Sequence, residues 1–255
     1  MANLKAKTRD GEMLRSRWNY TIRSLNDLYV LVGLTSRALL EMQKRVLESE
    51  EEDIEFEAPS ASGEITTVSR DKTQLSHLLV SASTRGIYEQ SLVNAVALTE
   101  DYLQGVLKFV LKRFPRKLTL NIAGQQADRN ISLDIVLDSA TREEILDTLV
   151  QNRLVTVFYG PPERYFEYIQ SVLSMTIEKE VKDLFAEIKA ARDIVVHNSG
   201  IANETYLFKA KKKARAQIGE RLNIGHGYFK MAIRTMKRLT TSVYTKTVRG
   251  VGRGK

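Results

Sequence analysis

Apolar residues recur at three- and four-residue steps from Leu14 through Trp18, Ile22, Leu25, Leu28, Val32, Leu39, Leu40 and Leu47. That is the spacing of one face of an amphipathic helix, and it predicts a long helix over about 12–48. The period is then lost. An acidic run, ESEEEDIEFE at 48–57, is followed by APSASG at 58–63, the composition of a loop or linker. Helical spacing returns near Thr73 with Leu75, Leu78 and Leu79. It is densest in GIYEQSLVNAVALTEDYLQGVLKFVLKR at 86–113, which reads as the central helix of a bundle. Phe114-Pro115 ends that helix. In 116–138, KLTLNI and ISLDIVL alternate in part around the polar AGQQADRN, which predicts a small hairpin.

From Thr141 the pattern is helical again. Ser139 or Thr141 can cap it, and Arg142-Glu143-Glu144 opens the first turn. YGPP at 159–162 breaks it, and Pro161 and Pro162 suit the first turn of the next helix, ERYFEYIQSVL. Segment 176–197 is amphipathic through Val181, Leu184, Phe185, Ile188 and Ala191, and HNSG stops it. A basic helix over about 203–217 and a last helix over about 226–245 complete the pattern. No solenoid-period repeat is present. The expected architecture is all-α, an antiparallel bundle joined by short turns. Its expected parts are a helical arm (1–48), an acidic, Ser/Pro/Gly linker (49–72), a helical domain (73–245) and a basic tail (246–255).

A chain of 255 residues that is 43% apolar can bury a sizeable core. The absence of cysteine removes disulfides, thiolate zinc sites and thiol nucleophiles. The charged N-terminus has no apolar secretory core, and no apolar run reaches the ~20 residues of a membrane helix. A cytoplasmic protein with no membrane partner is expected. The net charge of +8 is unevenly spread. Residues 207–255 hold 14 Lys/Arg against one Glu, and residues 1–47 hold 9 against 4 acids. The middle holds 16 basic and 26 acidic residues. Basic ends suit a polyanion such as RNA; they also suit solvated helix faces.

The candidate chemistry lies in ARDIVVHNSG at 191–200. On a regular helix Arg192 and His197 stand roughly 140° apart at ~3.6 residues per turn and do not share a face. The β-branched Ile194, Val195 and Val196 weaken the helix, and Asn198 and Gly200 suit its end. A frayed end would swing His197 toward Arg192, or toward a copy on a neighbouring subunit. Histidine exchanges protons near neutral pH, and arginine holds a phosphate and stabilises charge building on it. The pair suffices for RNA cleavage by its own 2′-hydroxyl, with no metal or other cofactor required. On spacing alone, a histidine bonding a terminal carbonyl is the favoured explanation of the stretch.

The string ARDIVVHNSGIANETY, 191–206, resembles the signature of the HEPN superfamily, Arg followed by a polar residue and then His four to six residues on. Asp193 is the polar residue, and Asn198 follows the histidine. The flanking segments ALTEDYLQGVLKFVL and IGERLNIGHGYFKMAIRTM resemble the RiboL-PSP-HEPN branch, so the likeness covers about 75–245. It implies a dimerising all-α bundle with Arg192 and His197 as catalytic residues. It further implies a metal-independent endoribonuclease of toxin–antitoxin or phage-defence type, with RNA as substrate and a cognate antitoxin or defence protein as partner. Ser199 stands where one variant carries a tyrosine two residues after the histidine, so nucleotidylation of that tyrosine is not implied. The rival readings are a non-catalytic HEPN scaffold and an RNA-binding protein that cuts nothing.

Among other candidates, Glu100 either orients Arg192 or His197 or lies on a solvated face. His77 and His226 read as structural. KAKKKAR at 209–215 offers Lys209, Lys211, Lys212, Lys213 and Arg215 as RNA contacts or as a solvent face. RGVGRGK at 249–255 reads as a disordered basic tail. Tyr159, Tyr165, Phe166 and Tyr168 fall at helical spacing and read as core.

Overall fold

The computed structural model describes residues 9–121, 130–139, 141–160 and 162–251. Its frame is set by α1 (Arg9–Glu48), 40 residues long, or about 60 Å at 1.5 Å per residue. Such a length spans two separate apolar environments. The N-terminal half buries Leu14, Leu25, Leu28 and Val32 in the main core, and Val46 near the far end joins Leu75 and Leu79 in a small second cluster. The arm is therefore a structural member of the bundle. Its apolar face is covered by α3 (Ile87–Arg113) and α9 (His226–Val251) in the main core, and by the helix Lys72–Ser81 and the turn after it toward its far end. α3 makes room at Gly105: the Arg17 guanidinium occupies the space that a Cβ there would fill, and Nη2 of Arg17 donates to Asp101 O and Oδ2, both at 2.8 Å. A side chain at Gly105 would displace the Arg17 guanidinium from this seat.

The segment 49–72, expected as a linker, contains an antiparallel hairpin. β1 (Asp53–Pro59) pairs with β2 (Ile65–Asp71), Phe56 opposite Val68. Ile54 packs on the second cluster. Alternation of Ile54, Phe56 and Ala58 with Glu55 and Glu57 was the signal, obscured by the acidic run. Asp71 then caps α2 (Lys72–Ser81), accepting from the Gln74 N–H at 2.8 Å. A π-helical turn, Ala82–Gly86, leads into α3.

The hairpin expected in 116–138 is absent from the described part of that segment. Pro115–Thr119 forms a 3-10 turn and Leu133–Asp138 a short helix, α4; 122–129 lie outside the described residues. Among the described residues, the alternation in KLTLNI and ISLDIVL has no neighbouring strand to pair with. The cap at Thr141 matches the sequence: its hydroxyl accepts from the Glu144 N–H at 3.2 Å, and Glu144 accepts from the Thr141 N–H at 3.3 Å, opening α5 (Arg142–Phe158). Thr141→Ala removes half of this reciprocal box and should cost about 1 kcal/mol, read as a lower denaturation midpoint.

α6 (Pro162–Leu173) and α7 (Lys179–His197) follow. Tyr165, Phe166, Tyr168 and Phe185 are buried in the main core. Tyr159, grouped with them in sequence, is 89% exposed, because α5 has ended before it. α8 (Glu204–Ala210) is short and passes into a 3-10 turn, Lys211–Lys213. The basic helix expected to reach 217 stops there: Lys211 adopts φ 50°, a conformation a helix cannot contain. α9 extends past the expected 245 to Val251, so the first residues of the expected tail are helical and 252–255 lie outside the described residues. The fold is all-α, with one peripheral hairpin.

Candidate functional site

α7 places the motif. Ile194 is buried and holds the helix regular to its end, so the β-branched run does not fray it. His197 is the last helical residue and exposed. Its backbone stays helical, so Arg192 and His197 remain on different faces. The turn beyond is tightly made. The N–H groups of Asn198 and Gly200 both donate to the Ile194 carbonyl at 2.9 Å, satisfying an orphan carbonyl of the helix end. Asn198 Nδ2 donates to Ile201 O at 2.6 Å. Gly200 has φ 75°, and an added Cβ would lie 3.2 Å from Arg221 and 3.3 Å from Glu89, so both backbone and space require glycine. Asn198 thus serves the turn.

Arg192 faces α3. Its Nη2 donates to Glu100 Oε2 at 2.9 Å, and Lys189 Nζ donates to Glu100 Oε1. Of the two readings of Glu100, the one that turns it toward Arg192 holds. Arg192 Nη1 pairs with Asp193 Oδ1 at 3.1 Å, and Lys209 Nζ donates to Asp193 Oδ2 at 2.9 Å. Lys189, Glu100, Arg192, Asp193 and Lys209 therefore alternate in sign across α3, α7 and α8, each side chain mostly sheltered. Lys189 was legible as the i−3 neighbour of Arg192, on the same helix face.

Asp193, four residues before His197 and on its face, connects this row to a cavity of about 350 Å³. His197, Asn198, Asn203, Thr205 and Lys209 line it with Asp193. Lys209 also lines a second cavity, of about 560 Å³, with Lys179 and Lys182 of α7 and Lys211, Lys212 and Lys213. The structure thus brings four of the five expected RNA contacts to one cleft beside the histidine.

The fifth, Arg215, sits differently. Its Nε lies 3.8 Å from Glu187 Oε2, and its guanidinium stacks 4.9 Å over the Tyr228 ring. Glu187 is 0% exposed and accepts from the Tyr206 hydroxyl at 2.9 Å and the Tyr228 hydroxyl at 3.0 Å. Tyr206 in turn accepts from the Arg215 N–H at 3.0 Å. Burial pushes the Glu187 carboxyl above its ordinary value of 4.5, while the tyrosine hydrogen bonds and Arg215 oppose the rise. Burial first, then the Glu187 charge, raises Tyr206 and Tyr228. This network pins α8 and Arg215 to α7 and α9, and through Tyr206 it holds the α8 wall of the histidine cavity. Sequence reading missed Glu187. Its only signal was an acid four residues before the apolar Ala191.

The other two histidines stand apart. His77 is exposed on α2, and His226 opens α9 with its ring 6.0 Å from Tyr29 and 6.3 Å from Tyr88. A further cavity of about 600 Å³ lies against α9; no motif residue lines it, and its Arg238 is paired with Glu178 at 2.6 Å and Glu180 at 3.1 Å. Among the described residues, no group of three or more His, Asp or Glu is placed to hold a metal ion, and no helix is long and apolar enough to cross a membrane. Fold and site together define an all-α protein with an Arg-x4-His helix end whose histidine cavity adjoins a lysine-lined cleft at Lys209. No family model, curated protein or solved structure matches the chain.

Proposed function

We propose that the protein is a metal-independent endoribonuclease of HEPN type, acting in the cytoplasm as a toxin or phage-defence effector under the control of an antitoxin or defence partner. The observation that carries the reading is that Lys209 borders both the His197 cavity and the lysine cleft, so the two lie side by side. A phosphate chain held by the lysines passes the histidine. His197 takes the proton of the 2′-hydroxyl, whose oxygen attacks the adjacent phosphorus. The bond to the 5′-oxygen breaks, that oxygen takes a proton, and a 2′,3′-cyclic phosphate and a 5′-hydroxyl remain. Arg192 steadies the negative charge: a guanidinium has five N–H donors, and the carboxylates of Glu100 and Asp193 orient it while leaving Nη hydrogens over.

Base and acid are both useful in this reaction, whereas each chain supplies one histidine at the site. A two-fold dimer places two copies of whatever lies near its axis in one groove. This answers the separation of Arg192 and His197 on α7, and we assign the active form as a homodimer with a composite site.

The direct test is incubation of purified protein with total RNA in EDTA beside a His197→Ala control. The wild type should cut, leave cyclic phosphate ends and spare DNA of the same sequence. Loss of activity in EDTA, or cutting of the DNA, sinks the mechanism. A second reading has one specific observation in its favour: both Nη atoms of Arg192 are engaged by carboxylates of the same chain, as in a packing motif of a non-catalytic scaffold. That reading expects RNA binding with no cleavage.

Changing Lys211, Lys212 and Lys213 together to Ala should weaken RNA binding and flatten its salt dependence by about one slope unit per lost phosphate contact. An unchanged slope returns these lysines to a solvated face.

A further inference from the structure

Two features of the cleft go beyond phosphate binding by KAKKKAR. Lys179 and Lys182, in the first turn of α7, line the cleft together with the lysines of the 209–213 segment. Six lysines are set against two acids, Glu167 and Asp183. A volume of about 560 Å³ is that of a small-ligand pocket. It suits one strand of nucleotides, whereas a duplex would present its phosphates to an open face.

The second feature is Phe208. It is 70% exposed, although burying such a side chain is worth roughly 1.5–3 kcal/mol. It lies on α8 one residue before Lys209, which borders both cavities, and three after Thr205, which lines the histidine cavity. On a helix, 205 and 208 are neighbours on one face. Phe208 stands at the rim, outside both linings, whereas the aromatic that lines the cleft, Phe166, is buried and offers no open face.

We infer that the lysine cleft and Phe208 form a track for single-stranded RNA, with phosphates on Lys179, Lys182 and Lys211–213 and an unpaired base stacked on Phe208 next to the His197 cavity. A base stacks on an aromatic ring only when it is free of its partner strand, so the track selects unpaired RNA. The inference rests on the ribonuclease reading for its substrate class.

The test is binding of a fluorescent single-stranded RNA of about eight nucleotides, within the range one such site covers. Its riboses are 2′-O-methylated, so it binds without being cut by 2′-hydroxyl attack. Phe208→Ala should weaken binding about fivefold to 150-fold, since one stacked base is worth ~1–3 kcal/mol, and Phe208→Trp should restore it. Lys179→Ala with Lys182→Ala should lower the salt slope by about 0.7 per lost contact, the value for single strands. The same sequence as a duplex should bind more weakly and not respond to Phe208→Ala. Circular dichroism checks that each variant is folded. The track is overturned if wild type does not bind the probe, or if Phe208→Ala and the lysine pair bind like wild type. It is overturned equally if Phe208→Trp is no better than Ala, if duplex binds as tightly, or if Phe208→Ala alters the oligomer and not RNA binding. Cutting of total RNA that needs His197 but ignores all these variants keeps the nuclease and removes the track. Binding with the stated sensitivities but no cutting does the reverse.

Discussion

His197→Ala should reduce RNA cleavage by about 10²–10⁴-fold, the contribution of a positioned general acid or base, and leave the fold intact. The side chain is exposed at the last position of α7. The turn after it is held by the Asn198 and Gly200 N–H groups and the Asn198 amide. A thermal midpoint within a degree or two of wild type, together with lost cleavage and retained RNA binding, is the expected pattern. Arg192→Ala should also lose cleavage, but it leaves Glu100 with Lys189 alone and should lower the midpoint. Mixing the two variants under subunit exchange distinguishes a shared site from separate ones. A composite site should regain part of its activity in mixed dimers, since each carries an intact Arg192 and an intact His197 on different chains. An active monomer refutes the shared site. Dimers in which each subunit cuts alone refute it too, while keeping the nuclease.

Glu187→Ala should destabilise the protein by roughly 3–5 kcal/mol, the range for removing one partner of a buried charged network. For a chain of this size that is a fall of roughly 10 °C in midpoint. It strips the acceptor from two buried hydroxyls, Tyr206 and Tyr228, and leaves Arg215 without its carboxylate. Glu187→Gln keeps an acceptor and should cost far less. It also isolates the titration. Burial raises the Glu187 carboxyl above 4.5, so the folded state holds this proton more tightly than the unfolded chain does. The resulting stability is fully present below 4.5 and is lost as pH rises through the raised value. The midpoint of wild type minus that of Glu187→Gln should therefore fall as pH climbs above 4.5. A difference that is flat with pH, measured by thermal denaturation, rules out this coupling. RNA cleavage by Glu187→Gln should survive, because the residue acts by holding the α8 wall through Tyr206.

Helix positions and caps were determined by sequence alone, because a helix is specified by neighbours three and four residues apart. The apolar steps from Leu14 to Leu47, the dense run of α3 and the Thr141–Glu144 box are all local patterns, and the all-α class follows from them. The Arg192-x4-His197 stretch was likewise visible as a helix end. Pairings between distant segments were not legible. The alternation in 116–138 looked strand-like and 53–71 read as a linker, yet it is 53–71 that forms a paired hairpin, with the apolar support of Val46, Leu75 and Leu79. The separateness of α1 could not be judged until its Leu25 face was seen against α3 and α9. The same holds for the site. Sequence left Glu100 between two faces, and 92 positions of chain separate it from Arg192. Lys179 and Lys182 carried no signal that they would line a cleft with Lys211–213, because they come from the opposite end of α7. Glu187 looked like any surface glutamate of an amphipathic helix, and only the burial by Tyr206, Tyr228 and Arg215 gives it a role. Periodicity fixes which face of an element is apolar; tertiary packing decides what that face meets, and with it which charges become sheltered, paired and able to act together.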